Sequence, residues 1–389
     1  MKKFTFFITS IIILWMCSSC SSNDMPRMYS TGISQYSTSN SFVFGTDTIL
    51  TIDTPSYGSS KLYVISSYTN SVFPLCFDPV CNHMSDGCPS TKISGNTLFN
   101  YTCDSQYLYY AYNIQTQSDF DSTKIIRVDL STANRKELLS LENRIFGLKY
   151  DSEYLYFIEN YSDTYNRISR INLKTSELTT VLDGANTNDF YDLFCIKDNK
   201  IYFLRNEHDG LFEYSIENNS TRCIVNTYIN DLFINENRIF LFCRTAEQYS
   251  TKIYDIKTDV TSDLIIDNQN IYGAMDIIGD ILYFTMSEKI PYSMPHDAQL
   301  IEILGDEAER ALADRYYSNT IVYSYDLTSG TKKKIGAYDM HTVHTLQIYN
   351  NKLYIKGTKA TNIGNDYIAS ENFSGYIDIS QKELNYIKY

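Results

Sequence analysis

Residues 104–110 read Asp-Ser-Gln-Tyr-Leu-Tyr-Tyr, a polar turn that runs into a short strand carrying an aliphatic–aromatic pair. The phrase returns at 151–157 as Asp-Ser-Glu-Tyr-Leu-Tyr-Phe and at 198–203 as Asp-Asn-Lys-Ile-Tyr-Phe. It recurs at 235–240 (Asn-Glu-Asn-Arg-Ile-Phe), 279–284 (Gly-Asp-Ile-Leu-Tyr-Phe) and 350–355 (Asn-Asn-Lys-Leu-Tyr-Ile). Its aliphatic positions are Leu108, Leu155, Ile201, Ile239, Leu282 and Leu353, so the steps are 47, 46, 38, 43 and 71 residues. A period of roughly 40–50 residues in which every unit reads as short strands predicts an all-β chain, a β-propeller.

A second motif fixes the blades. Asp129-Leu-Ser-Thr-Ala-Asn, Asn172-Leu-Lys-Thr-Ser-Glu, Asp255-Ile-Lys-Thr-Asp, Asp326-Leu-Thr-Ser-Gly-Thr and Asp378-Ile-Ser-Gln-Lys-Glu are polar hairpin turns that follow the first phrase within each unit. With strands named a to d from the axis outwards, the first phrase is strand b and the second joins c to d. The expected layout is seven four-stranded blades in one domain, residues 41–389, at about 28–76, 96–140, 144–182, 190–226, 229–267, 271–336 and 342–389. In such a meander the a–b and c–d turns share one face of the disc, while the b–c loops and d-to-a connections share the other. The first set is short and stereotyped here and the second varies widely, so the variable face is the expected working surface.

The chain begins with Lys2 and Lys3, an apolar stretch from Phe4 to Met16, and then Cys17-Ser-Ser-Cys20. That is an export signal over residues 1–20, too short and wrongly flanked for a membrane-spanning helix. The cysteine ending predicts a bacterial lipoprotein lipidated on Cys20, anchored outside the cytoplasm to the membrane. Cys17 is the fallback, and an ordinary secretory signal is the competing reading. Residues 21–40, rich in Ser, Thr and Gly, read as a flexible tether. Loss of Lys2 and Lys3 takes the formal net charge from −13 to −15, which argues against nucleic acid as a partner. The 35 tyrosines and 20 phenylalanines suit pleated, packed strands.

The densest chemistry lies between blades one and two, in Cys76-Phe-Asp-Pro-Val-Cys81-Asn-His83-Met-Ser-Asp-Gly-Cys88. Three thiols and an imidazole in this C-x4-C-x-H-x4-C run have the donor types of a closed structural zinc site. A disulfide, Cys81 with Cys88 or Cys76 with Cys103, is the alternative in an exported protein. A packed loop with free thiols is a third. Nine cysteines less the two near the signal leave seven, so at least one thiol stays unpaired within the chain. The strand ending Pro74-Leu-Cys76, followed by Asp78-Pro-Val-Cys81-Asn-His83 ahead of Tyr-rich repeats, resembles a family of uncharacterised bacterial surface lipoproteins whose β-propeller is a domain of unknown function. The resemblance implies a surface-anchored propeller and supplies no reaction.

Two further features map to the variable face. Blade six is stretched by an insertion from Ser287 to Asn319, whose Ile301, Leu304, Ala308, Ala311 and Leu312 have helical spacing. The histidines His83, His208, His296, His341 and His344 all fall in or beside loops of that face and are candidate ligand contacts, although histidine is also common in loops for its polarity alone. Nucleotide-binding, nucleophile-elbow and zinc-protease motifs do not occur in the sequence, and no catalytic residue is assigned. Two functions compete. One is a binding or scaffolding module for a glycan, peptide or partner protein. The other is an extracytoplasmic hydrolase or lyase with carboxylate or histidine chemistry at the channel mouth.

Overall fold

The computed structural model describes residues 42–387, apart from breaks of which the longest are 54–60, 89–97 and 292–315; the signal and tether lie outside the described residues. The chain forms seven four-stranded sheets, each an antiparallel meander whose strands pair in chain order. Blade one is Phe42–Phe44, Thr48–Asp53, Lys61–Ser66 and Val72–Pro74, and blade two runs from Leu98–Cys103 to Arg135–Leu141. Blade three is Arg144–Asp151, Tyr154–Asn160, Asn166–Asn172 and Leu178–Asp183. Blades four to seven span 194–225, 229–263, 275–338 and 341–386. The seven-bladed expectation therefore holds.

The repeated phrase works because strand b is packed on both faces. Leu108, Leu155, Ile201, Ile239, Leu282 and Leu353 are each 0% exposed. Successive residues of a strand point to opposite faces, and in a propeller those faces meet different neighbours. Leu108 packs with Leu75 of blade one, whereas the next residue, Tyr109, packs with Leu148 and Leu155 of blade three. Ile201 joins Tyr156 and Ile158 of blade three, while Tyr202 joins Leu232 and Ile239 of blade five. The aliphatic member faces the preceding blade and the aromatic member the following one. Each fully buried side chain of this size contributes about 1.5–3 kcal/mol, so the phrase is the inter-blade core written into sequence.

The Asp and Asn residues of the second motif are explained by one turn. Asp129, Asn172, Asp255, Asp326 and Asp378 each accept on Oδ1 from the backbone N–H groups two and three residues on, at 2.8–3.3 Å. Their carbonyls accept from the N–H four residues on, at Ala133, Ser176, Asp259, Gly330 and Lys382. Those five residues all have φ between 58° and 69°, the left-handed region. The amide bonds, with the serine hydroxyls of Ser131 and Ser380 at two of the turns, hold the four aspartates below the usual carboxylate range.

The ring closes without a shared strand. Blade seven takes all four strands from residues 341–386 and blade one all four from 42–74. Tyr354, in the last copy of the phrase, points as its predecessors do towards the next blade, and the next blade is the first: it packs with Ile65 and Ile387. Asn70 of blade one donates to the Tyr376 hydroxyl at 3.0 Å and accepts from Lys352 Nζ at 3.0 Å. The neighbouring joint is secured by Asp276, which accepts from the backbone N–H of Ile348 in blade seven at 2.8 Å and from its own neighbour Ile277. Burial pushes the Asp276 carboxyl up to about 7.

One feature departs from the sequence reading, and two of its expectations fall on residues outside the described ones. A small hairpin, Ile265–Ile266 with Gln269–Asn270, separates blades five and six, and Lys332 of blade six binds its turn residue Asp267 at 2.9 Å. The first described strand of blade one is Phe42–Phe44, and residues 28–41, counted with blade one in the sequence reading, lie outside the described residues. The helix expected within the blade-six insertion falls on residues outside the described ones; its expected flanks are strand, since Ile281–Pro291 and Tyr316–Asp326 run past Ser287 and Asn319. Among the described residues the helical content is one 3-10 turn, Gly184–Asn186, and no helix there is long and apolar enough to cross a membrane.

The turn geometry predicts opposite outcomes at two equivalent sites. Ser176→Gly, at an exposed position with φ 60°, is expected to raise stability by about 0.5–1 kcal/mol, and Gly330→Ala, at φ 69°, to lower it by a similar amount. Urea unfolding of both variants checks the pair.

Candidate metal centre and loop face

The connection out of blade one gathers the four predicted donors. One ligand atom from each of Cys76, Cys81, His83 and Cys88 lies within 4.8 Å of all the others. The local fold explains how. The Cys81 N–H bonds to the Asp78 carbonyl at 3.2 Å, and the Asp78 carboxylate caps the Val80 N–H at 3.0 Å, which turns the chain back on itself. His83 sits at φ 56°, a conformation uncommon for a residue with a β-carbon, and its N–H points at Cys81 Sγ, 3.4 Å away. Its Nδ1 lies 3.4 Å from Cys88 Sγ. Cys88 is buried and the other three are half-buried. Burial and the Cys88 and Cys81 thiols, set against one lowering backbone bond from Asp78, push the Cys76 thiol up to about 11. No disulfide joins the seven described cysteines, the expected pairs Cys81–Cys88 and Cys76–Cys103 included. Cys103 is buried within the blade one–two core.

Among the described residues, the candidate histidines His341 and His344 are not part of this cluster. His208 and His296 lie outside the described residues. His341, first residue of blade seven, is 7% exposed and has a structural arrangement. Its Nδ1 is 2.6 Å from the Asp339 carbonyl, which can only accept, so Nδ1 carries the proton and Nε2 accepts from the Tyr386 hydroxyl at 2.7 Å. The ring also meets Phe373 edge-on. His344 lies at the β-bulge between Val343 and Thr345, is exposed, and approaches Thr358 Oγ1 at 3.4 Å.

The variable face is asymmetric. In blades two, six and seven the b–c hairpins outrun the innermost strand: Asn113–Thr116 with its partner, Met286–Pro291 with Tyr316–Ile321, and Thr361–Gly364 with its partner. At about 3.3 Å per residue these project roughly 10–20 Å. Blades six, seven, one and two are consecutive around the ring, so the tall side also holds the Cys–His loop, where Val80 is 89% exposed. Among the described residues, blades three to five show no such projection and form the low side. There Tyr161, Tyr228 and Tyr249 are exposed at the b–c loop of blade three, the connection from four to five, and the b–c loop of blade five. Arg167 lies over the Tyr161 ring at 4.0 Å.

Sequence reasoning missed the polar groups of the innermost strands. Lys149 of blade three lies within electrostatic reach of Cys195 of blade four and of Asp231 of blade five; burial lowers the Lys149 ammonium, with those two groups opposing, and burial pushes the Cys195 thiol up to about 12. The signal was positional: Lys149 and Cys195 pair with the buried tyrosines Tyr156 and Tyr202 of the phrase.

The neutral tautomer of His341 gives a pH prediction. Burial, opposed by the Asp339 contact and reinforced by the nearby Lys359 charge, lowers its folded pKa below 6.5. The folded state then binds its proton less well than the unfolded chain, so this contribution is present above pH 6.5 and lost as pH falls below it. Thermal unfolding between pH 8 and 5 is expected to show a steeper acid-side loss in the protein than in His341→Gln.

No family model matches the chain, and no curated protein sequence matches it. Solved structures of similar shape include a β-propeller domain. A structure from a study of two prolyl endopeptidases aligns with 93% of this chain at 12% identity and TM-score 0.53, and the alignment spans half of that longer protein. The β-propeller domain of the Trilobed protease from Pyrococcus furiosus, described as having an open velcro topology, aligns over 94% of this chain and 99% of its own at 12% identity and TM-score 0.52. An uncharacterised protein of Listeria monocytogenes aligns over 88% and 91% at 9% identity and TM-score 0.52. At these identities the likeness establishes the β-propeller fold.

Proposed function

We propose that this chain is a lipid-anchored extracytoplasmic propeller that binds a glycan, peptide or partner protein on its variable face. The observation that carries the reading is the shape of that face, a tall half of projecting hairpins beside a low half that displays Tyr161, Tyr228 and Tyr249. Tyrosine offers broad amphipathic contact area at low entropic cost, and stacks on sugars and peptide planes alike. The opposite face is built from turns that satisfy their own polar groups, leaving fewer hydrogen-bonding groups for a ligand. The enzyme alternative rests on Lys149 and Asp231 in the innermost strands. The anchor rests on Lys2, Lys3, the apolar run to Met16 and Cys20, and on the resemblance to surface lipoproteins.

A glycan and peptide array probed with the purified protein tests the face. Binding is expected to fall about tenfold or more in Tyr161→Ala, Tyr228→Ala or Tyr249→Ala, since an interface aromatic is typically worth 1–2 kcal/mol or more. Asp326→Ala, on the opposite face, should leave it unchanged. Equal binding by all four variants would remove the assignment, and mass-detected cleavage of an arrayed ligand would favour the enzyme. Labelled palmitate is expected in the protein and in Cys17→Ser, and absent from Cys20→Ser.

A further inference from the structure

We infer that Cys76, Cys81, His83 and Cys88 form a closed, structural zinc site that fixes blade one to blade two. A tetrahedral ion with Zn–S bonds near 2.3 Å and a Zn–N bond near 2.1 Å needs its donors about 3.4–3.8 Å apart. Four donor atoms mutually within 4.8 Å are close to that arrangement and need only a small contraction. A disulfide would join two of the sulfurs and leave the third thiol and the imidazole crowded against it without a partner. Nothing in that alternative uses His83, yet the imidazole is turned inward, with Nδ1 3.4 Å from Cys88 Sγ, on a backbone held at φ 56°. The His83 N–H aimed at Cys81 Sγ is the kind of donor that stabilises a metal-bound thiolate.

The donor set also selects the ion and the role. Three thiolates and one imidazole suit zinc among the common divalent ions, and four protein ligands leave no open position for a substrate or activated water. The site is therefore a fastener. Cys76 lies two residues beyond the outermost strand of blade one, Val72–Pro74, and the loop leads on to Leu98, the first residue of blade two. Binding would tie off this long connection, and its free energy would add to that of folding.

The test is the metal content of the protein purified with thiol reductant and without chelator. One zinc per chain is expected, released in step with titration by a mercurial. Cys81→Ser and Cys88→Ser should each retain less than a tenth of it, whereas Cys243→Ser, a buried cysteine in blade five, keeps a full equivalent. His83→Cys is the decisive variant: it replaces one zinc ligand by another, so retention there alongside loss in Cys81→Ser identifies coordination rather than general loop integrity. Cobalt in place of zinc should give thiolate-to-metal absorption and tetrahedral visible bands. The inference is overturned by protein that neither contains zinc nor takes up cobalt, or by a disulfide among Cys76, Cys81 and Cys88 in peptides from unreduced protein.

Discussion

Blades two to five and blade seven each lean on the next through a buried aromatic of strand b (Tyr109, Tyr156, Tyr202, Phe240 and Tyr354), and the ring stands only if the last of these finds the first blade. Tyr354 meets that requirement against Ile65, with Ile387 beside it and the Asn70–Tyr376 and Asn70–Lys352 hydrogen bonds at its edge. Among the described residues side chains make this joint, and neither blade lends the other a strand. In a repeat protein, stability is close to a sum of unit and interface terms, so the joint between blades seven and one is where the sum can first fail. Blade one is accordingly the element that most needs a second attachment, and the Cys–His loop lies on its other side.

Much of this was legible in the sequence because the phrase at 104–110 obeys a physical rule. A strand sandwiched between two blades must be apolar on both faces, so it loses the polar alternation of a half-exposed strand and becomes conspicuous. The turn motif was legible for a similar reason: Asp and Asn cap their own backbone most readily in that way, leaving a fixed spelling at five sites, while Ser66 and Ser215 occupy the corresponding position in blades one and four and escape the pattern. The hairpin at Ile265–Asn270 was not, since two residues on each side are too few to show a period. The first strand, Phe42–Phe44, failed for the same reason.

The site was legible in kind and illegible in distance. C-x4-C-x-H-x4-C names donors, but whether two or four converge depends on turn geometry at Asp78 and His83 that no spacing rule supplies. The histidines taught the reverse. Loop position suggested a shared role, yet His341 is an internal brace of blade seven and His344 sits apart from it at a bulge. Lys149 and Asp231 escaped notice because a lone polar residue in an inner strand reads like ordinary alternation until the strands are arranged around an axis.

The outermost strands have a consequence for colloidal behaviour. A propeller turns one free sheet edge per blade outward, and a free edge can recruit a strand from another molecule. At four of the seven blades those edges are short or charged. Val72–Pro74 and Leu384–Tyr386 span three residues each, Val260–Asp263 four, and the longer Lys332–Tyr338 opens with three consecutive lysines. Proline, brevity and like charge each discourage edge-to-edge pairing, so a protein built almost wholly of strands is equipped to stay dispersed when crowded against copies of itself.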